Sequence, residues 1–128
     1  MSKEVGDIGE ISFLLKAKKI GFCVLTPYSS ISKYDFVIDN FKELIKIQVK
    51  STSKLDSRSR YKVALSHGRN CKSSYSANQV DYFAIYIQPE DLFYIIPHSA
   101  VKTKTLILYP YKKDHVLNNY LERWDLLK

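Results

Sequence analysis

The stretch YDFVIDNFKELIKIQVK, residues 34–50, decides the fold reading. Tyr34 to Asp39 alternates apolar and polar side chains, Leu44 to Lys50 does the same, and turn-prone Asn40 lies between them, which is the pattern of an antiparallel hairpin. Successive side chains of a strand point to opposite faces. One face then carries Tyr34, Phe36, Ile38, Ile45, Ile47 and Val49, and the other carries Asp35, Gln48 and Lys50. A turn around Phe41-Lys42 sets Asp35 opposite Gln48, and opposite partners share a face. A carboxylate, an amide and an amine are thus expected on one side of a hairpin whose other side is a core surface.

Working outward, Glu4 to Lys19 predicts a helix, because Val5, Ile8, Ile11, Leu14, Leu15 and Ala17 recur at three- and four-residue spacing and Gly21 follows as a stop. Glu10 lies on a helical stripe with Phe13, Leu14 and Ala17, on or beside the face that should pack on the sheet, and Gly6 and Gly9 allow a close approach there. Phe22 to Leu25 predicts a short strand and Tyr28 to Lys33 a Ser-rich loop. Arg58 to Leu65 alternates again, with Arg58, Arg60 and Lys62 on one face and Tyr61, Val63 and Leu65 on the other. Ser66 to Ala77 reads as a loop, Tyr82 to Ile87, Leu92 to Ile96 and Leu106 to Tyr109 as strands. Val116 to Leu127 reads as a helix with Val116, Leu117, Tyr120, Leu121, Trp124 and Leu127 as its apolar stripe. Helix, several strands, helix predicts one α/β (α+β) domain over residues 1–128, built on a mixed central β-sheet flanked by helices.

Composition narrows the function classes. The chain of 128 residues is 45% hydrophobic and 26% charged, an ordinary globular balance with no apolar run of the ~20 residues that span a bilayer. No leader-like segment opens it, so a cytoplasmic protein without a membrane partner is expected. Cys23 and Cys71 form neither a disulfide framework nor a zinc spacing and are expected to be free thiols. The net charge of +7 is uneven: Lys50, Lys54, Arg58, Arg60, Lys62, Arg69 and Lys72 face only Asp56 between residues 50 and 72. A basic stretch with arginines on one strand face suits the major groove of duplex DNA, and His67 and Asn70 within it are further candidate DNA contacts. His98 and His115 lack the spacing of metal ligands.

The polar cluster suits hard-cation chemistry. A buried carboxylate such as Glu10 needs a cation or a proton. Mg²⁺ takes oxygen ligands, which Asp35, Glu10, the Gln48 side-chain carbonyl and the Val49 backbone carbonyl can supply. Such a metal stabilises charge on a phosphate and acidifies water, while Lys50 can orient or help deprotonate that water and offset the phosphate charge. The chemistry expected is phosphodiester hydrolysis.

Asp35, twelve intervening residues and then Gln48-Val49-Lys50, with Glu10 on the first helix, resembles the core of the PD-(D/E)XK nuclease superfamily. Small size and the basic third strand make it most similar to the homing endonucleases encoded in group I introns of cyanobacteria. The resemblance covers residues 6 to about 97 and implies a restriction-endonuclease-like, four-stranded mixed sheet flanked by helices, Mg²⁺ dependence and double-strand cleavage of DNA. It makes Glu10, Asp35, Gln48 and Lys50 the catalytic set. Two positions depart from the pattern: Tyr34 stands where a proline is usual, and neutral Gln48 stands where a second carboxylate is usual.

Other readings of the same residues stay open. Asp35, Gln48 and Lys50 are also what the solvated face of a half-exposed hairpin would carry. A four-way-junction (Holliday-junction) resolvase on the same core, or a DNA-binding module without catalysis, would share these features. Because one chain has residues for one active centre and a duplex has two strands, a homo-oligomer, dimer or tetramer, is expected. Tyr120, Leu121, Trp124 and Leu127 are the candidate contact, with packing on their own core as the alternative.

Overall fold

The computed structural model describes residues 3–65 and 75–128; His67, Arg69, Asn70, Cys71 and Lys72, read above from sequence, lie outside the described residues. The order is α1 (Lys3–Ile20), β1 (Cys23–Leu25), β2 (Phe36–Asp39), β3 (Leu44–Thr52), β4 (Tyr61–Ala64), β5 (Tyr82–Ile87), β6 (Leu92–Pro97) and β7 (Thr105–Leu108), with short 3₁₀ turns after β5, β6 and β7. The main sheet runs β1-β2-β3-β5-β6, and β4 pairs with β7 in a separate two-stranded sheet. Only β3 and β5 are parallel; the other neighbours are antiparallel.

The hairpin of residues 34–50 forms in the expected register, Phe36 with Ile47 and Ile38 with Ile45. Its turn is built by side chains: the Asn40 Oδ1 accepts the N–H groups of Lys42 (3.0 Å) and Glu43 (2.8 Å), and Phe41 adopts φ 66°. A parallel neighbour for β3 requires a long crossover, and the chain between β3 and β5 contains β4.

The sheet has a core on each face. On one side α1 lays down Gly9, Phe13 and Ala17, and the Phe13 ring stacks on Phe36 at 5.3 Å and meets Trp124 at 5.3 Å. The helix sits so close that a Cβ on Gly9 would come within 1.7 Å of the Ser51 Oγ. On the other side Tyr61, Val63, Leu106 and Leu108 of the small sheet pack on Phe83, Ile85, Tyr94 and Ile96. β5 is buried on both faces, which is why YFAIYI reads as a continuous apolar run without alternation. Among the described residues no helix is long and apolar enough to cross a membrane.

Several expectations are corrected. The α+β fold with a mixed central sheet is as expected, but the sheet has five strands instead of four, and among the described residues one α-helix flanks it, the other face being covered by β4 and β7. Leu14 is not on the packing face; the buried stripe is Gly9, Phe13 and Ala17, and Leu14 is 38% exposed. The tail is not one helix but two 3₁₀ turns, Val116–Tyr120 and Trp124–Leu127. It is broken where Leu121 bridges to Tyr94 and Glu122 takes φ 53°, its N–H donating to the Phe93 carbonyl at 2.7 Å and its carboxylate accepting the Phe93 N–H at 2.6 Å. Pairing with β6 thus outweighs the helical spacing, and Trp124 and Leu127 are buried in the protein's own core.

Candidate active site

Asp35 sits where the β2–β3 ladder ends. The last paired residues are Phe36 and Ile47, and the Asp35 N–H donates to the Ile47 carbonyl at 2.8 Å, so Asp35 does not pair opposite Gln48 as extending the turn register predicts. Every second residue of β3 directs its N–H and C=O toward β2, and Val49 is the next such residue after Ile47. No β2 partner remains for it. The Asp35 Oδ2 accepts the Val49 N–H at 2.8 Å, and the carboxylate is held where the two strands part. The Val49 carbonyl leaves the strand on the same side. Gln48 is half-buried with its Nε2 3.5 Å from that carbonyl, and rotating the amide would present the Gln48 carbonyl to the same point.

Glu10 approaches from α1, and together with Asp35 it lines a groove of about 320 Å³ whose other walls are Thr26, Pro27, Ser29, Ser30, Ser32, Tyr34 and Phe36. Burial pushes the Glu10 carboxyl above its ordinary value of 4.5, and the charges of Asp35 and Asp7 push the same way. Burial also raises Asp35 above 3.8, and the Val49 N–H and the Lys50 ammonium only partly oppose it. Two carboxylates destabilised by burial, Glu10 also by the charge of Asp35, call for positive charge. The Lys50 Nζ lies 5.2 Å from the centre of the Tyr75 ring, and Asp35 is near enough to raise the Tyr75 phenol.

The four residues read from the hairpin and helix are therefore brought together, although Glu10 comes from the helix side of the sheet and Lys50 lies against the opposite core. The oxygens present, from Glu10, Asp35, Gln48 and Val49, are the donors a hard divalent cation takes. Among the described residues no three His, Cys, Asp or Glu groups are clustered to hold a metal, so a cation here would need the amide and main-chain oxygens beside the two carboxylates. The hydroxyl-rich wall and Tyr75 were not singled out by sequence; the Ser-rich composition of residues 28–33 was the only signal for the former.

The basic face is only partly as expected. β4 begins at Tyr61, so Arg58 and Arg60 precede the strand instead of sharing a face with Lys62. Asp56 is the reason: it accepts the N–H groups of Arg58 and Arg60 at 2.9 Å each and pairs with the Arg60 guanidinium at 2.8 Å, closing a turn. Lys54, Arg58 and Lys62 are exposed and Arg60 is engaged by Asp56.

The profile of a family described as PD-(D/E)XK endonuclease matches residues 1–127. Among solved structures, the bacterial homing endonuclease I-Ssp6803I superposes with a TM-score of 0.85 at 29% identity, covering 98% of this chain and 92% of its own. No curated protein matches the sequence significantly.

Proposed function

The chain belongs to the PD-(D/E)XK endonuclease family, and from that premise we propose that it is a site-specific homing endonuclease that hydrolyses double-stranded DNA with the help of Mg²⁺. The observation that carries this reading is the Asp35 carboxylate fixed on the Val49 N–H at the point where β2 and β3 part, with Glu10, Gln48 and Lys50 around it. A bare solvated hairpin face gives no reason for two partly buried carboxylates to be gathered beside a lysine.

Asp35, Glu10, Gln48 and the Val49 carbonyl would hold the metal, which supplies charge against the developing negative charge of the scissile phosphate and lowers the pKa of water there. The chain's own residues set the rest. Asp35 is oriented by the Val49 N–H on its Oδ2, which leaves the second carboxylate oxygen to serve the metal. Gln48 contributes an oxygen but no charge, leaving the cation less neutralised than a second carboxylate would. Lys50 carries positive charge to the phosphate and orients the attacking water. Lys54, Arg58 and Lys62 contact the DNA, while Arg60 shapes the turn that presents Arg58. His67, Arg69, Asn70 and Lys72 continue the basic segment and are proposed as contacts on sequence grounds alone.

One centre per chain and two strands to cut favour a homo-oligomer, dimer or tetramer. Of the tail residues named as a candidate contact between copies, Trp124 and Leu127 are buried in the core of their own chain, while Tyr120 and Leu121 are half-buried. Incubation with linear duplex, four-way junction and single-stranded DNA, with and without Mg²⁺, tests the reading. Cutting of linear duplex only with the cation is expected. Preference for the junction would make it a resolvase, and binding without cutting a non-catalytic module.

A further inference from the structure

A lysine that acts on phosphate has a practical difficulty. Its four-carbon stem is flexible, so the ammonium needs a support that fixes where it stands. An aromatic face gives one, because the ring quadrupole attracts a cation. Lys50 has such a face: its Nζ stands 5.2 Å from the centre of the Tyr75 ring.

The ring is itself held in place. Tyr75 is only 8% exposed, meets Phe83 edge to face at 5.6 Å, and its backbone carbonyl lies 2.8 Å from the His98 Nε2. Phe83 in turn stacks on His98 at 6.1 Å and pairs in register with Gln48 on the neighbouring strand. Gln48 and Lys50 on β3 and Phe83 on β5 thus share one face, and Tyr75 packs onto that face from outside the sheet. We propose that Tyr75 is a positioning residue, whose fixed ring is the seat that keeps the Lys50 ammonium at the active-site cluster. Burial, helped by Asp35, pushes the phenol up to about 12, so the ring stays neutral throughout the working pH range.

The inference rests on Lys50 acting in cleavage, and the test separates the two. Lysine side chains are followed by NMR, with the Lys50 signal assigned by its loss in Lys50→Met. The proposal expects Lys50 Hε protons shifted upfield by the ring current in the wild type, unchanged in Tyr75→Phe and returned to ordinary lysine positions in Tyr75→Leu. Single-turnover cleavage should fall about tenfold in Tyr75→Leu with DNA affinity within about twofold, and Tyr75→Phe should cut like wild type. Should Tyr75→Leu fail to fold, the wild-type and Tyr75→Phe spectra still decide. An unshifted Lys50 signal in the wild type overturns the proposal, as does full cutting by Tyr75→Leu or an equal loss in Tyr75→Phe. If Lys50→Met cuts at the wild-type rate, the role of Lys50 itself fails, and a positioning role falls with it whatever the spectra show.

Discussion

Asp35 and Asp56 are the same residue type, 21 positions apart in one chain, and the fold treats them in opposite ways. Asp56 receives two backbone N–H groups and the guanidinium of Arg60, and its carboxyl falls from 3.8 to about 2. Asp35 receives the Val49 N–H, sits beside a second carboxylate, Glu10, and its carboxyl is raised because burial outweighs that bond and Lys50 together. A structural carboxylate is supplied with its cation by its own chain. A carboxylate left short of positive charge at a groove, with an amide and a lysine beside it, fits the cation site proposed above.

The sharpest way to break this comparison is to neutralise each aspartate. Asp35→Asn should lower cutting by about 10²-fold or more, while the melting temperature of the metal-free protein stays the same or rises, because a buried charge has been removed. Lys50→Ala should cost about 10²-fold in cutting with DNA binding largely intact, since one lysine is a small part of the phosphate contacts. Single-turnover cleavage and calorimetry on the same preparations check both.

A divalent cation gives the next largest effect. Because the folded carboxyls of Glu10 and Asp35 lie above 4.5 and 3.8, their contribution to stability is fully present below those values and is lost as pH rises through the raised ones. A cation competing with protons for the same oxygens should therefore raise the melting temperature more at pH about 7.5 than at pH about 5. Asp35→Asn should abolish that rise. A rise independent of pH, or kept in the variant, would place the cation elsewhere.

Gln48→Glu sharpens the comparison from the other side by restoring a charge the sequence lacks. It should tighten cation binding several-fold, as added ligand charge does at hard-cation sites, measured by titration calorimetry without DNA. Unchanged affinity would mean that position 48 does not face the cation.

The smallest effect belongs to the turn. Asp56→Asn should lower the melting temperature slightly and leave cutting within about twofold, because the amide oxygen can still accept the backbone N–H groups and only an ion pair at the surface is lost. Its lowered carboxyl contributes stability above its unfolded value of 3.8, lost as pH falls toward about 2, so wild type and variant should converge in acid. A large loss of cutting in Asp56→Asn would show that the turn holds DNA-reading residues rigidly.

Much of this was legible in the sequence because period-2 alternation fixes strand faces. Residues 36–50 gave the hairpin, its register and the face of Gln48 and Lys50. The pairing expected of Asp35 from the turn register failed because β2 begins one residue later, at Phe36, a fact set by the parting of β2 and β3 in three dimensions. Alternation failed at Arg58 and Arg60 because Asp56, four residues before Arg60, offers the backbone a turn that local alternation does not reveal. The helical spacing of Val116–Leu127 lost to pairing along β6 for the same kind of reason. Tyr75 reaches Lys50 only through the sheet order β3-β5 and the packing of Phe83, neither of which leaves a local mark.

The central claim is that the Asp35 cluster binds a divalent cation and uses it to cut DNA. Wild type and Asp35→Asn should be compared on a library of linear duplexes with Mg²⁺ and with chelator, counting double-strand ends. Ends are expected from the wild type with Mg²⁺ and from neither protein in chelator, with the variant inactive in both. Cutting in chelator, or cutting by Asp35→Asn at the wild-type rate, would contradict it.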